Sequence, residues 1–384
     1  MNQSQLESKN TNSIVLMLVL LASIFFNASN PYLRIIILSI WAFLPIVHIL
    51  ATNNYKNFSI TKNEMYLLIF SFFWICLFLF SILKNYNSFA LNFQKANVES
   101  YTPFLFIFQA FLIIHFTKIR VNDVGSFLFY FFLTVTIFFS LDVLYRYFLE
   151  PECFLNYWCR TDAKRVGFFS TTNVTGMLIG FLLISSTYLK FPFKKTFSFF
   201  LFLVLLTTMA RAAIFSTIFI LFLRYFDLRY PFRTMFLLII FVLPIYVYLL
   251  YDPLNLLVDG SLLSKMDFFS STLQIFGEAN IYDLFFGFGA SFEYIAILLG
   301  VGGWSAHVPI LKSFLYYGLF GVLFFVLYLS QIFLAEKKMF LPILFFLICG
   351  LAGAPIFWPT LFSGYILLVL NNASKNQFKS FEKV

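Results

Sequence analysis

Three cations crowd one short polar stretch: Arg160, Lys164 and Arg165 in "RTDAKRVGFFSTTNVTG", just ahead of an apolar run whose first turns hold Asn173 and several Ser/Thr residues. Guanidinium and ammonium groups beside the free amides of a helix N-terminus make a seat for phosphate or pyrophosphate. The alternative is interfacial anchoring, with the long side chains snorkelling to water. Further on, Arg211 stands alone in "TTMARAAIFST". Small neighbours leave room for a ligand, although a lone Arg at a helix end also serves as an anchor. "LFFGFGASFEY" carries Gly287 and Gly289 in an apolar turn, and Lys265 lies in the polar stretch before it. His307 then precedes a long apolar run that only Lys312 interrupts. An imidazole at that lip is either a structural hydrogen-bonding group or a catalyst.

These residues need a scaffold, and composition defines its class. Of 384 residues, 61% are hydrophobic and 11% charged, and Phe alone accounts for 59. Soluble domains carry about 25% charged residues. The chain is therefore expected to be an all-α, polytopic integral membrane bundle, one membrane domain over 1–384. Apolar runs near the ~20 residues that cross a bilayer as a helix recur throughout. Twelve spans are expected, at 14–30, 32–50, 65–83, 102–117, 126–149, 166–189, 192–208, 210–224, 234–251, 308–333, 340–352 and 355–370. Only "TTMARA" separates the seventh from the eighth, and "CGLAGAPIFWP" before the last is a tight turn or a broken helix. The count is thus ten to twelve. The first run follows a polar segment with no small-x-small cleavage site and reads as a retained helix.

Charge sets the expected orientation. The net charge of +9 gathers in short loops on one side when the N-terminus is cytoplasmic, in keeping with the positive-inside rule. Nucleic acid is then not needed to explain the basic balance, and the C-terminus is cytoplasmic too. The long segment 252–307, between the ninth and tenth spans, falls on the outer side, and loops of that length are usually functional. Within it, "SLLSKMDFFSSTLQIFG" reads as an amphipathic helix with Leu262, Met266, Phe269 and Leu273 on one face. Cys153 and Cys159, six residues apart in another outer loop, could close a disulfide in an oxidising compartment; two unpaired thiols are the alternative. Cys76 and Cys349 lie in apolar runs, where a thiol behaves as a small hydrophobe.

Several chemistries lack their residues. No G-x-x-x-x-G-K-[ST] loop is present, no Asp-x-Asp pair or His/Cys cluster has metal-ligand spacing, and the glycines of "GFGASFEYIAILLGVGG" follow no parallel strand that would make a dinucleotide site. No metal or other cofactor is expected. Asp142 and Arg146, one turn apart, read as a local ion pair.

The order of these motifs resembles the O-antigen ligase/O-antigen polymerase superfamily of bacterial envelope proteins, over most of the chain and most densely from Arg165 to Phe325. "RVGFFSTTN" matches the family's Arg before a "GFF…N" helix start. "ARAAIF" with Arg211 matches its Ser-Arg helix start, with Ala210 in place of the Ser. "LFFGFGASF" matches the G-x-G element of the periplasmic loop through Gly287 and Gly289. "AHVPILKSFLYYGLFG" matches its His-Asn pair and "GlxG" helix through His307, Gly318 and Gly321, with Val308 in place of the Asn. Lys265 stands where the family has an Arg. The resemblance implies a metal-independent membrane glycosyltransferase that uses a sugar chain on undecaprenyl pyrophosphate, at the periplasmic face of the inner membrane. Arg165 and Arg211 would hold the diphosphate, aided by Arg160, Lys164, Lys265 and Lys312, with His307 or a loop carboxylate at the acceptor hydroxyl. A polysaccharide chain-length regulator is a further partner it implies. The divergent motifs favour polymerase over ligase. A flippase or transporter of the same lipid-linked sugars is the alternative of another class, and a scaffold subunit is a third.

Overall fold

The computed structural model describes residues 3–25, 31–51, 60–84, 102–118, 121, 123–149, 151, 172–208, 210–225, 270–289, 309–351 and 358–381. Among these the secondary structure is helical, without a strand. In chain order the helices are α1 (Gln3–Ile24), α2 (Pro31–Ala51), α3 (Lys62–Lys84), α4 (Thr102–Phe116), α5 (Val124–Leu149), α6 (Thr172–Ser186), α7 (Lys194–Thr207), α8 (Arg211–Tyr225), α9 (270–278), α10 (Ile281–Phe286), α11 (Pro309–Ala335), α12 (Phe340–Leu351) and α13 (Trp358–Phe381). Each expected span overlaps one of these helices except 234–251, which lies outside the described residues, and α1 and α13 run about eleven residues past the expected bounds, at the N- and C-terminal end respectively. Two of them, Val124–Leu149 and Ser313–Ala335, are long and apolar enough to cross a membrane.

Polar residues at the boundaries start and stop these helices. Thr61 and Glu64 form a capping box before α3: Thr61 N donates to Glu64 Oε2 at 2.7 Å and Glu64 N to Thr61 Oγ1 at 3.3 Å. Asp123 caps α5 through the backbone amides of Gly125 and Ser126 at 2.9 and 3.2 Å. Lys194 Nζ donates to the carbonyls of Thr187 and Leu189 in the turn that follows α6, and the amides of that turn return to the carbonyls of Ile184, Ser185 and Ser186. The short segment around "TTMARA" does divide two helices, α7 stopping at Thr207 and α8 starting at Arg211.

α6 sits at the centre. From Val174 to Ser186 every residue is buried, with α7, α8, α12 and α13 packed around it. α13 also packs on α1, α4 and α5, and the hydroxyls of Ser23 and Ser363 meet across the α1–α13 contact. Trp41, Trp74, Phe131, Phe139, Phe345 and Phe362 fill the interior. The outward faces of α2, α3 and α5 are apolar as well, with Phe43, Leu50, Phe72, Leu83, Leu144 and Phe148 exposed.

α11 departs from its expected form as one continuous helix. Gly318 has φ 66° and ψ −157°, outside helical geometry, and breaks it. The carbonyls of Leu315 and Tyr316, which would have accepted from the next turn, accept instead from Phe288 N at 2.7 Å and Gly289 N at 3.2 Å. The end of α10 is thereby docked into the break.

At one end of the bundle, polar contacts tie together helices distant in sequence. Asn12, His48 and His115 link α1, α2 and α4. Thr117 donates to Glu64, and Asn372 bonds to both Glu336 and Lys338. Asn371 accepts from Lys190 N at 2.9 Å and donates to the Tyr188 carbonyl at 3.2 Å, and the Arg224 guanidinium lies 4.5 Å over the Tyr188 ring.

Candidate functional site

The other end gathers the start of α6, the start of α8, and the last turns of α5 and α7. Their close approach depends on Gly176. A Cβ there would lie 2.5 Å from Ala210 Cβ and 3.0 Å from Thr208 Oγ1, so any side chain would push α8 away. One turn further, a Cβ on Gly180 would meet Thr217 Oγ1 at 2.3 Å and Phe345 Cζ at 2.6 Å. This small-xxx-small pair lets α6 and α8 pack backbone to backbone. The first described turns of α6 and α8 consequently lie side by side, with Asn173 exposed on one and Arg211 as the first residue of the other. Helix N-terminal ends brought together in this way favour an anion through their dipoles.

Behind these N-termini lies a buried charge cluster. Arg146 Nη2 donates to Asp142 Oδ2 at 2.5 Å and to Thr175 Oγ1 at 2.8 Å. The pair expected within α5 is therefore present, and it also fastens α5 to α6 through Thr175, a contact that spacing gave no sign of. Tyr147 donates to the Thr207 carbonyl, joining α5 to the end of α7. Asp142 and Arg146 are almost wholly buried. Such a pair holds its position because moving either partner leaves a charge unpaired in the interior.

Gly287 and Gly289 take part in a second arrangement, the docking of α10 on α11. Both have positive φ, 75° and 102°. A Cβ on Gly287 would lie 2.4 Å from the backbone of Tyr316 and Tyr317, and one on Gly318 would lie 2.3 Å from the Phe285 carbonyl carbon. The two glycines thus face each other with no space for a side chain. Aromatic rings surround the joint: Phe276 stacks on Phe314 at 3.8 Å, Phe286 meets Phe80 at 4.7 Å, and Tyr317 meets Trp74 at 4.9 Å. In α9 the packed residues include Thr272 and Phe276, whereas Leu273, expected on the apolar face, is exposed; Leu262, Met266 and Phe269 lie outside the described residues.

The expected site residues therefore separate into three groups. Asn173 and the backbone of Arg211 are brought together at α6 and α8. Gly287 and Gly289 are brought onto α11, whose first turn contains Lys312. α12 packs against both α8 and α11. Arg160, Lys164, Arg165, Lys265, His307, Cys153 and Cys159 lie outside the described residues. Of the other cysteines, Cys349 is buried near the Ala212 carbonyl and Cys76 is exposed. Among the described residues, no group of three or more His, Cys, Asp or Glu is placed to hold a metal ion. Comparison with protein-family models, with curated proteins and with solved structures finds no match for this chain.

Proposed function

We propose that this chain is a polytopic inner-membrane polysaccharide polymerase that joins oligosaccharide repeat units carried on undecaprenyl pyrophosphate at the periplasmic face. The observation that carries the proposal is the close packing of the first described turns of α6 and α8 across Gly176, which brings Asn173 and Arg211 to the same end of the bundle. The apolar outward faces of α2, α3 and α5 support the membrane part of the reading, since a water-facing surface rarely carries so continuous an apolar patch. The cytoplasmic end in this reading is the one with Lys190, Arg224 and Lys338, in keeping with the positive-inside rule, and both termini lie on that side. The broken helix α11 and the segment docked into it also fit a membrane site, because irregular backbone is tolerated there only inside protein or beside a polar cavity.

The acceptor hydroxyl attacks the anomeric carbon of the donor. The bond from that carbon to the diphosphate oxygen breaks, and undecaprenyl diphosphate leaves with the electron pair. His307 takes the hydroxyl proton. Charge builds on the diphosphate as it leaves, and Arg211, Arg165 and the paired helix N-termini stabilise it without a metal. Arg160, Lys164, Lys265 and Lys312 supply further positive charge around the carrier.

Cells lacking the gene, complemented with wild type, Arg211→Ala or His307→Ala at matched expression, test this through their surface polysaccharide. Core bearing a single repeat unit, in the deletion strain and in both variants, is the polymerase result. Bare core with lipid-linked polymer accumulating makes the chain a ligase. Repeat units held on the cytoplasmic side make it a flippase. A normal ladder from both variants removes these two residues from the site.

A further inference from the structure

The loop that joins α6 to α7, "YLKFPFKK" over residues 188–195, stands at the end of the bundle remote from Asn173 and Arg211. Its conformation breaks two local preferences at Phe193. That residue occupies the N-cap of α7, where Ser, Thr, Asp or Asn would supply a capping oxygen, and its side chain makes no capping bond. Its φ of 56° and ψ of 20° lie in the left-handed region, which a phenylalanine seldom enters. Among the described residues no other non-glycine residue has a positive φ. The ring held in this way is 71% exposed, so burial does not account for a phenylalanine here.

The surroundings of Phe193 indicate what the ring meets. Aromatic contacts fix the loop on the start of α5: Phe191 stacks on Phe132 at 4.7 Å, and Phe129 lies 6.1 Å from Phe193. Tyr130, next to Phe129, is exposed. The loop also carries three cations. Lys194 is drawn in to the carbonyls of Thr187 and Leu189, whereas Lys190 and Lys195 are exposed. The neighbouring acid, Asp123, has its carboxylate engaged by the Gly125 and Ser126 amides and the Ser126 hydroxyl. Below this surface α5 and α7 expose an apolar flank that includes Leu144, Phe199 and Phe200. Exposed rings at the edge of an apolar flank, with ammonium groups beside them, complement the anionic headgroups of a membrane surface.

We propose that the α6–α7 loop binds the headgroup of an anionic phospholipid from the surrounding leaflet. Lys190 and Lys195 pair with the phosphate, and Phe193 and Tyr130 seat the glycerol and the first carbons of the acyl chains. Such binding presupposes the membrane part of the reading above and is independent of the sugar transfer.

The test uses the full chain carrying Phe193→p-benzoylphenylalanine, reconstituted in vesicles of equimolar phosphatidylglycerol and phosphatidylcholine. After irradiation, mass spectrometry counts the two lipid adducts. Phosphatidylglycerol adducts are expected to exceed phosphatidylcholine adducts about fivefold, the gain that a single lysine supplies near a headgroup surface. Adding Lys190→Gln and Lys195→Gln should return the ratio to near one. The same probe at Phe148, exposed at the other end of α5, should also give a ratio near one. Equal adducts at 193, an enrichment that survives the double lysine variant, or the same enrichment at Phe148 would each overturn the proposal. So would adducts to a second copy of the chain in place of lipid. A chain that alkaline carbonate strips from the vesicles would overturn the membrane reading with it. Should the 193 variant not fold, Tyr130→p-benzoylphenylalanine carries the same expectations.

Discussion

Replacing Gly318 with Ala should release the α10 segment from α11 and leave the rest of the bundle assembled. The backbone at φ 66° and ψ −157° lies in a region open essentially to glycine, and holding another residue there costs about 1–3 kcal/mol. The new Cβ would also sit 2.3 Å from the Phe285 carbonyl carbon and 2.6 Å from Gly287 N. Both are backbone atoms, so no side-chain rotation relieves the clash, and overpacking adds about 1–3 kcal/mol. The total is near 4 kcal/mol, or roughly a thousandfold in the docking equilibrium. Undocking removes the hydrogen bonds that Phe288 N and Gly289 N make to Leu315 and Tyr316. Hydrogen exchange followed by mass spectrometry on peptides spanning 285–290 reads this directly. Gly277→Ala is the control, because nothing stands within 4 Å of its added Cβ, and a helical site of this kind should gain about 0.4–1 kcal/mol. If Gly318→Ala exchanges within tenfold of wild type over those peptides, the interlocked-glycine reasoning is refuted.

Other perturbations probe the remaining joints. Asp142→Ala leaves Arg146 as a buried charge without its carboxylate and should cost about 3–5 kcal/mol, whereas Thr175→Val, which removes only a hydrogen bond to Arg146, should cost about 1.5–3 kcal/mol; thermal unfolding in detergent ranks the two. Gly176→Leu should separate α6 from α8, and cysteines placed at 173 and 212 should then no longer cross-link at the yield seen with Gly176 present. Asp123→Ala should lose about 1 kcal/mol of helix capping. The Ser126 hydroxyl and backbone amide, with the Gly125 amide, hold the Asp123 carboxyl below the usual carboxylate range. Its contribution is therefore full at neutral pH and fades as pH falls through that depressed value. The stability difference between wild type and Asp123→Ala should shrink only in acid.

Helix positions were legible because a bundle of this composition writes each element as an uninterrupted apolar run. α2, α3 and α5 begin and end within a few residues of where hydropathy puts them. Contacts between runs left no such trace. His48 and His115 meet through helix packing alone, and Thr175 reaches Arg146 because Gly176 sets the depth of α6 in the bundle. The break at Gly318 was also hidden, since glycine in an apolar run does not by itself distinguish a tolerated helical residue from a hinge. Its meaning emerged only with Gly287 opposite it. At the candidate site, the sequence identified Asn173 and Arg211 as polar residues at helix starts, and packing supplied their proximity.

The contact between α1 and α13 bears on biosynthesis. Ser23 and Ser363 are 340 residues apart, and α13 also covers α4, α5 and the central helix α6. A growing chain that has released α1 to α12 still carries α6 with one flank bare, the flank with Phe181 and Ser185 that Gly364 of α13 comes to cover. Closure of the core must therefore wait until translation has delivered α13. A stop codon shortly before Trp358 should leave a full set of earlier helices and no stable bundle, a state that membrane proteases are suited to remove.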